Sequence, residues 1–139
     1  MGAIVVDTSV VVKWYLPEQH HEAARALRDT YLESEIDLYA PELLPFEAIN
    51  ALRYSGHFDG EQLSAAAQSL SEYGIDIVPF RNAGNVAVIA TDLDITVYDA
   101  AYVALAERLD TVAYTADETL LADIQGEYTD HVAHIRTYS

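Results

Sequence analysis

A chain of 139 residues has the length of one domain, and with 51% hydrophobic residues in short patterned runs it can bury roughly two-thirds of its unfolded surface. Lacking cysteine, it has no disulfide framework and no thiolate zinc site; lacking an apolar run of about 18 residues or a charged-then-apolar leader, it is expected to be soluble, cytoplasmic and without a membrane partner. Its 23 Asp and Glu against 7 Lys and Arg give a net charge of −16, which at low salt argues against a polyanionic partner.

Ala3 to Val6 reads as a buried first strand, ended by Asp7-Thr8-Ser9. Val10 to Leu16 is expected to be helical, capped by Asp7, Thr8 or Ser9 and stopped by Pro17. His20 to Glu33 is an amphipathic helix with Ala24, Leu27 and Tyr31 on one face. Asp37 to Ala40 is a second strand closed by Pro41, and the next helix starts near Pro45, because proline deeper in a helix costs about 3 kcal/mol. On that helix Glu47, Asn50, Ala51 and Tyr54 share a face.

After a loop over Gly56 to Gly60, Asp59-x-x-Gln62 is a capping box opening a helix with Leu63, Ala66, Ala67 and Leu70 inward. Gly74 ends it, and Ile75 to Phe80 is a third strand. Asn82 is expected to cap a helix carrying Val86, Ile89, Ala90 and Leu93. Thr96-x-x-Asp99 has the form of a second box, opening a helix to about Leu109. There Tyr98, Ala101, Tyr102, Leu105 and Leu109 form one apolar stripe while Ala100, Val103, Ala104 and Ala106 fill most of the remaining circumference, as in a buried helix. Thr111 to Tyr114 is a fourth strand, Asp117 to Ile124 a short helix, and His131 to Ile135 a fifth strand. Strands alternating with helices imply an α/β fold with a parallel sheet covered on both faces.

In such a sheet ligands sit beyond the carboxyl ends of the strands, where strand order reverses. Asp7 directly follows the first strand, and Asp117 follows the fourth after two residues. If those strands are neighbours, both acids face one crevice, and the first turns carrying Glu47 and Asp99 can point into it. Two carboxylates about 4 Å apart repel by about 4 kcal/mol at an effective dielectric of 20, so the cluster needs protons or cations. Oxygen-only ligands favour Mg²⁺ or Mn²⁺ over zinc. Asp7, Asp99 and Asp117 each stand at a predicted helix N-terminus as well, where an acid serves as a cap or favours the helix dipole. Both readings are open at this point.

VVDTSVVVKWYLPE, PELLPFEAINALRY and TVYDAAYVALAERLDTVAYTADETL resemble, in order and spacing, the PIN-domain ribonucleases, and most closely the VapC toxins of VapBC toxin–antitoxin pairs. The resemblance implies a PIN-like, three-layer αβα fold whose parallel sheet of about five strands runs 3-2-1-4-5. It carries Asp7, Glu47, Asp99 and Asp117 over as a catalytic quartet, with Asp7, Asp99 and Asp117 as ligands of Mg²⁺ or Mn²⁺. Ser9, Asn50 and Thr115 match accompanying polar positions, Ser9 and Thr115 as supports for metal-bound water, and Glu118 is an additional acid. The implied activity is endonucleolytic cleavage of RNA to 5′-phosphate and 3′-hydroxyl ends. The implied partners are RNA, a second copy of the chain, and a small antitoxin whose C-terminal segment lies across the acidic groove.

The chain departs from the family in its bases. Family members commonly hold RNA through basic residues around the groove, whereas here Lys13 is the only lysine, and Lys13, Arg53 and Arg81 are the few candidates. An acidic, lysine-poor composition fits adaptation to high salt, where a Debye length of about 3 Å at 1 M screens the repulsion. Asp94 and Asp110 stand where the family often has Gly. Among other readings, a receiver domain needs a lysine near its last strand and a P-loop enzyme needs Gly-x-x-x-x-Gly-Lys; neither is present. His20-His21 and His131-x-x-His134 would project to opposite faces, a poor arrangement for one ion. An RNA-processing PIN nuclease without an antitoxin, and a PIN-fold protein-binding module without catalysis, remain as alternatives; the intact quartet argues against the second.

Overall fold

Val5, Val6, Leu38 and Ala40 are wholly buried, as strands covered on both faces require. In the computed structural model, which describes residues 2–139, they belong to β1 (Gly2–Val6) and β2 (Ile36–Pro41). Parallel pairing continues from β2 to β3 (Asp76–Val78), and on the other side from β1 to β4 (Ala113–Thr115) and then β5 (Val132–His134). The order is 3-2-1-4-5, as the resemblance implied, so strand order reverses between β1 and β4. Between the strands lie α1 (Thr8–Val11), α2 (His21–Leu32), α3 (Leu44–Tyr54), α4 (Gly60–Glu72), α5 (Ala83–Leu93), α6 (Val97–Arg108) and α7 (Glu118–Asp123), which cover the sheet to make three layers. Among the described residues no helix is long and apolar enough to cross a membrane.

The register next to the switch point is set by hydrogen bonds as well as by pattern. Val5 faces Ala113 and Val6 faces Tyr114, and the ladder runs on as the Asp7 N–H donates to the Tyr114 carbonyl at 3.1 Å. The residues that leave β1 and β4 therefore start side by side.

α6 explains its own composition. Tyr102, Leu105 and Ala106 join the core formed with Val5, Val6, Leu38 and Ala40. Ala100, Ala101, Val103 and Ala104 pack with Val86, Ile89, Ala90 and Leu93 of α5. Wedged between the sheet and a second helix, α6 has little polar face to give, and its alanines allow close approach. The Thr96 hydroxyl caps it by accepting the Asp99 backbone N–H at 3.0 Å. Its first turn is the exception to burial: Tyr98, expected in the apolar stripe, is 65% exposed, because continuous burial begins only at Ala100.

Several local expectations need correcting. The helix expected over Val10 to Leu16 begins at Thr8 and tightens to a 3-10 turn over Val12–Trp14; Asp7 is at the N-cap position but its carboxylate makes no cap bond there. Asn82 does not cap α5 with its side chain, since it takes a left-handed backbone (φ 55°) instead of the extended one from which a cap reaches the N2 and N3 amides. β3 is shorter than Ile75 to Phe80, its pairing ending before Pro79, which has no N–H to give. By contrast, the Asp59 and Gln62 box is formed in both directions. Asp94 and Asp110 are left-handed (φ 53° and 50°), which is the conformation glycine adopts most cheaply.

Candidate active site

The β1–α1 and β4–α7 turns are stitched together through two hydroxyls. Asp7 Oδ2 accepts the Ser9 Oγ hydrogen at 2.8 Å and the Thr115 Oγ1 hydrogen at 2.7 Å. Ser9 Oγ also accepts the Ala116 N–H at 2.8 Å, and Thr115 Oγ1 accepts the Asp117 N–H at 3.1 Å. Each hydroxyl spends its one proton on Asp7 while its oxygen fixes a backbone amide. Ser9 and Thr115, expected to support metal-bound water, are thus oriented towards the Asp7 carboxylate, and Oδ1 is the oxygen they leave free.

Asp7 is buried, and burial pushes its carboxyl up from 3.8 to about 6; the bonds from Thr115 and Ser9 oppose the rise, and the Asp99 charge adds to it. Asp99, in the first turn of α6, is half-buried and also titrates above the usual carboxylate range, through burial first and then the charges of Asp117 and Glu47. These effects place Asp7, Glu47 and Asp117 each within electrostatic reach of Asp99.

Glu47 sits in the first turn of α3, just past Pro45, as the helix start at Leu44 dictates. Its Oε1 accepts from Thr8 Oγ1 at 3.0 Å and from Tyr102 OH at 2.9 Å, and those two hydroxyls lie 3.0 Å apart. Tyr102 is buried, which together with the Asp7 charge drives its hydroxyl far above the ordinary tyrosine pKa and keeps it a proton donor. Asp117 does cap its helix: Oδ1 accepts from the Thr119 and Leu120 amides at 3.0 and 3.1 Å. The capping reading is therefore correct for Asp117 and incorrect for the side chain of Asp7.

Other sequence candidates stand apart. Asn50 is exposed and, among the described residues, shares no hydrogen bond with the acids. Glu118 turns to Arg136 at 3.2 Å. Lys13 is buried beside Glu18 at 3.4 Å, Arg53 lies over the Tyr54 ring at 4.6 Å, and Arg81 lines a separate apolar cavity with Phe80 and Val86. Among the described residues no Lys or Arg pairs with Asp7, Glu47, Asp99 or Asp117. Sequence reasoning missed Thr8 and Tyr102 as members of the site. Tyr102 had a usable signal, since it lies one helical turn after Asp99 on the same face.

The donor chemistry suits a hard divalent cation: carboxylates with no basic partner among the described residues, two of them held above their normal range by burial and by neighbouring carboxylates. As the side chains are disposed, no three His, Asp or Glu among the described residues converge to ligating distance of one point.

A parallel α/β domain of strand order 3-2-1-4-5, with unpaired acids where β1 and β4 diverge, defines the class of this protein. Residues 4–126 match the PIN domain family, and the chain belongs to it; members of that family are generally nucleases. No curated protein matches the sequence. The crystal structure of PAE2754 from Pyrobaculum aerophilum is similar, at 24% identity over 97% of this chain and 85% of that one, with a TM-score of 0.71, a likeness of fold.

Proposed function

We propose that this chain is a Mg²⁺- or Mn²⁺-dependent endoribonuclease and the toxin component of a type II toxin–antitoxin pair. The observation that carries the nuclease reading is Asp7: a carboxylate buried at the switch point, with no cationic partner among the described residues, beside a second acid whose charge it feels. An ion held by Asp7, Asp99 and Asp117 would supply Lewis-acid polarisation of the phosphodiester and lower the pKa of the attacking water. Ser9 and Thr115 hold Asp7 so that Oδ1 is presented, and the amides of α7 hold Asp117 by Oδ1, leaving its other oxygen. Glu47, fixed by Thr8 and Tyr102, would orient the nucleophile. The toxin role, a cytoplasmic location, a homodimer, and an antitoxin whose arginine neutralises the acids rest on the sequence resemblance, and on electrostatics that favour a guanidinium in this groove.

The test is cleavage of total RNA in molar KCl with Mg²⁺, mapping the ends released. Wild-type protein is expected to leave 5′-phosphate and 3′-hydroxyl ends, and Asp99→Asn to lose at least 100-fold in rate with its circular dichroism unchanged. Full activity of Asp99→Asn would refute the metal assignment. No cleavage by wild type with either ion would leave a PIN-fold binding module. Growth arrest on expression alone, relieved by the product of a short neighbouring reading frame, tests the toxin role.

A further inference from the structure

Basic and imidazole side chains from distant segments meet beside Asp117. Lys13 from the turn after α1, His20 at the entry to α2 and His134 at the end of β5 line a cavity of about 290 Å³, with Gln19, Asp117, Glu118 and Thr119. His20 stands edge-on to His134, ring centroids 5.0 Å apart, on a left-handed backbone (φ 67°). The only lysine of the chain is spent here.

The cavity has donors to spare. His134 Nδ1 accepts the Arg136 backbone N–H at 3.0 Å, which assigns the ring proton to Nε2. That nitrogen lies 3.8 Å from Glu118, beyond hydrogen-bond reach, so its N–H is open to solvent and free for a ligand. Lys13, 7% exposed, has three N–H bonds to give and Glu18 as its ion-pair partner at 3.4 Å.

Of the two acids in the lining, Glu118 pairs with Arg136, and Asp117 accepts two amides of α7 with Oδ1 and keeps its other oxygen free. Burial holds His134 below its ordinary pKa, and Arg136, His20 and Lys13 act in the same sense against Glu118 alone. Lys13 is matched by Glu18 and Arg136 by Glu118, so the lining offers hydrogen-bond donors rather than a net positive charge. His20, His134 and Glu118 do not form a metal-ligand group. Donors from Lys13, His20 and His134 converging on one open cavity suit an anion with several acceptor oxygens.

We propose that this cavity is the subsite for a phosphodiester next to the cleaved bond of single-stranded RNA, held by Lys13 Nζ, His20 and His134 Nε2–H. The assignment rests on the nuclease reading, because there Asp117 marks the neighbouring phosphate. It gives a chain so poor in bases a defined grip on the strand through direct hydrogen bonds, which salt screens less than it screens a diffuse basic surface.

The test titrates the wild-type chain in EDTA with uridine 3′,5′-bisphosphate while following the imidazole signals of the five histidines by NMR. His20 and His134 are expected to shift saturably while His21, His57 and His131 stay, and Lys13→Gln is expected to weaken the response at least ten-fold. His20→Asn, which keeps a residue tolerant of positive φ at a half-buried position, carries the test if Lys13→Gln does not fold. With Mg²⁺ and a labelled random-sequence single-stranded RNA, both variants are expected to raise KM about ten-fold with kcat within two-fold of wild type. Immobile histidine signals, or wild-type KM in the variants, would overturn the subsite while cleavage by wild type upholds the nuclease reading. Histidines that respond in a wild type that cleaves nothing would overturn the nuclease reading and the RNA assignment with it, leaving a bare anion site.

Discussion

Replacing Asp7 with Asn removes a charge that the fold pays to bury. With the carboxyl near 6 in the folded chain against 3.8 unfolded, the native state holds the proton more tightly, so this group makes stability fall as pH rises from about 3.8 to about 6. Above that window the full penalty is present, about 3 kcal/mol at 1.36 kcal/mol per pH unit. Asn keeps the shape and one acceptor oxygen for Ser9 and Thr115 but has no charge to desolvate. The comparison is made by urea denaturation of wild type and Asp7→Asn at pH 4.5 and pH 8, in EDTA and one KCl concentration. Taking the difference between the pH values cancels whatever the amide loses in packing and in hydrogen bonding. The stability gap should move in favour of Asp7→Asn by about 2 kcal/mol between the two pH values. A gap that stays constant with pH would show that Asp7 carries no burial penalty, and the argument for a cation at the site would lose its basis.

Tyr102→Phe keeps the ring in the core and deletes the bond to Glu47; thermal denaturation should show a loss of about 1–2 kcal/mol, and cleavage should slow with KM little changed. Asp117→Ala removes the α7 cap and should cost about 1 kcal/mol, a fall in Tm where Asp7→Asn gives a rise at pH 8. Mg²⁺ at about 100 times its Kd should stabilise wild type by about 2.7 kcal/mol in a thermal shift, and Asp99→Asn should show little of this gain.

What the sequence made legible depended on how local each determinant was. The α6 burial, the Asp59 box and the helix start at Pro45 are decided by neighbours within one or two turns, and periodicity finds them. The position of Asp117 depended on strand order, which the family resemblance supplied and the β1–β4 register bears out. The partners of the acids were less legible. Thr8 and Ser9 differ by one position yet serve different acids, Glu47 and Asp7, because successive residues of the turn face different ways. Tyr102 read as a core residue, correctly for its ring, while the hydroxyl that distinguishes it from phenylalanine answers to Glu47, 55 residues away. His20 and His134 belonged to two separate histidine pairs in the sequence, and only the packing of the chain end against the entry to α2 brings their rings together.

The bond from Thr115 to Asp7 spans 108 residues, and this has a consequence for when the protein becomes active. A chain made from its N-terminus exposes Asp7 and Glu47 early, and β1 can pair with β2 while most of the sequence is still to come. The third and fourth acids arrive with α6 and α7, and Asp7 is oriented only when β4 docks against β1. Closing so long a loop is entropically the late step, because loop entropy must be paid before the distant contact returns anything. Fragments truncated before β4 therefore hold Asp7, Glu47 and Asp99 without Asp117 and without the bond that orients Asp7. If the proposed toxicity is correct, the fold itself delays it until synthesis is nearly finished.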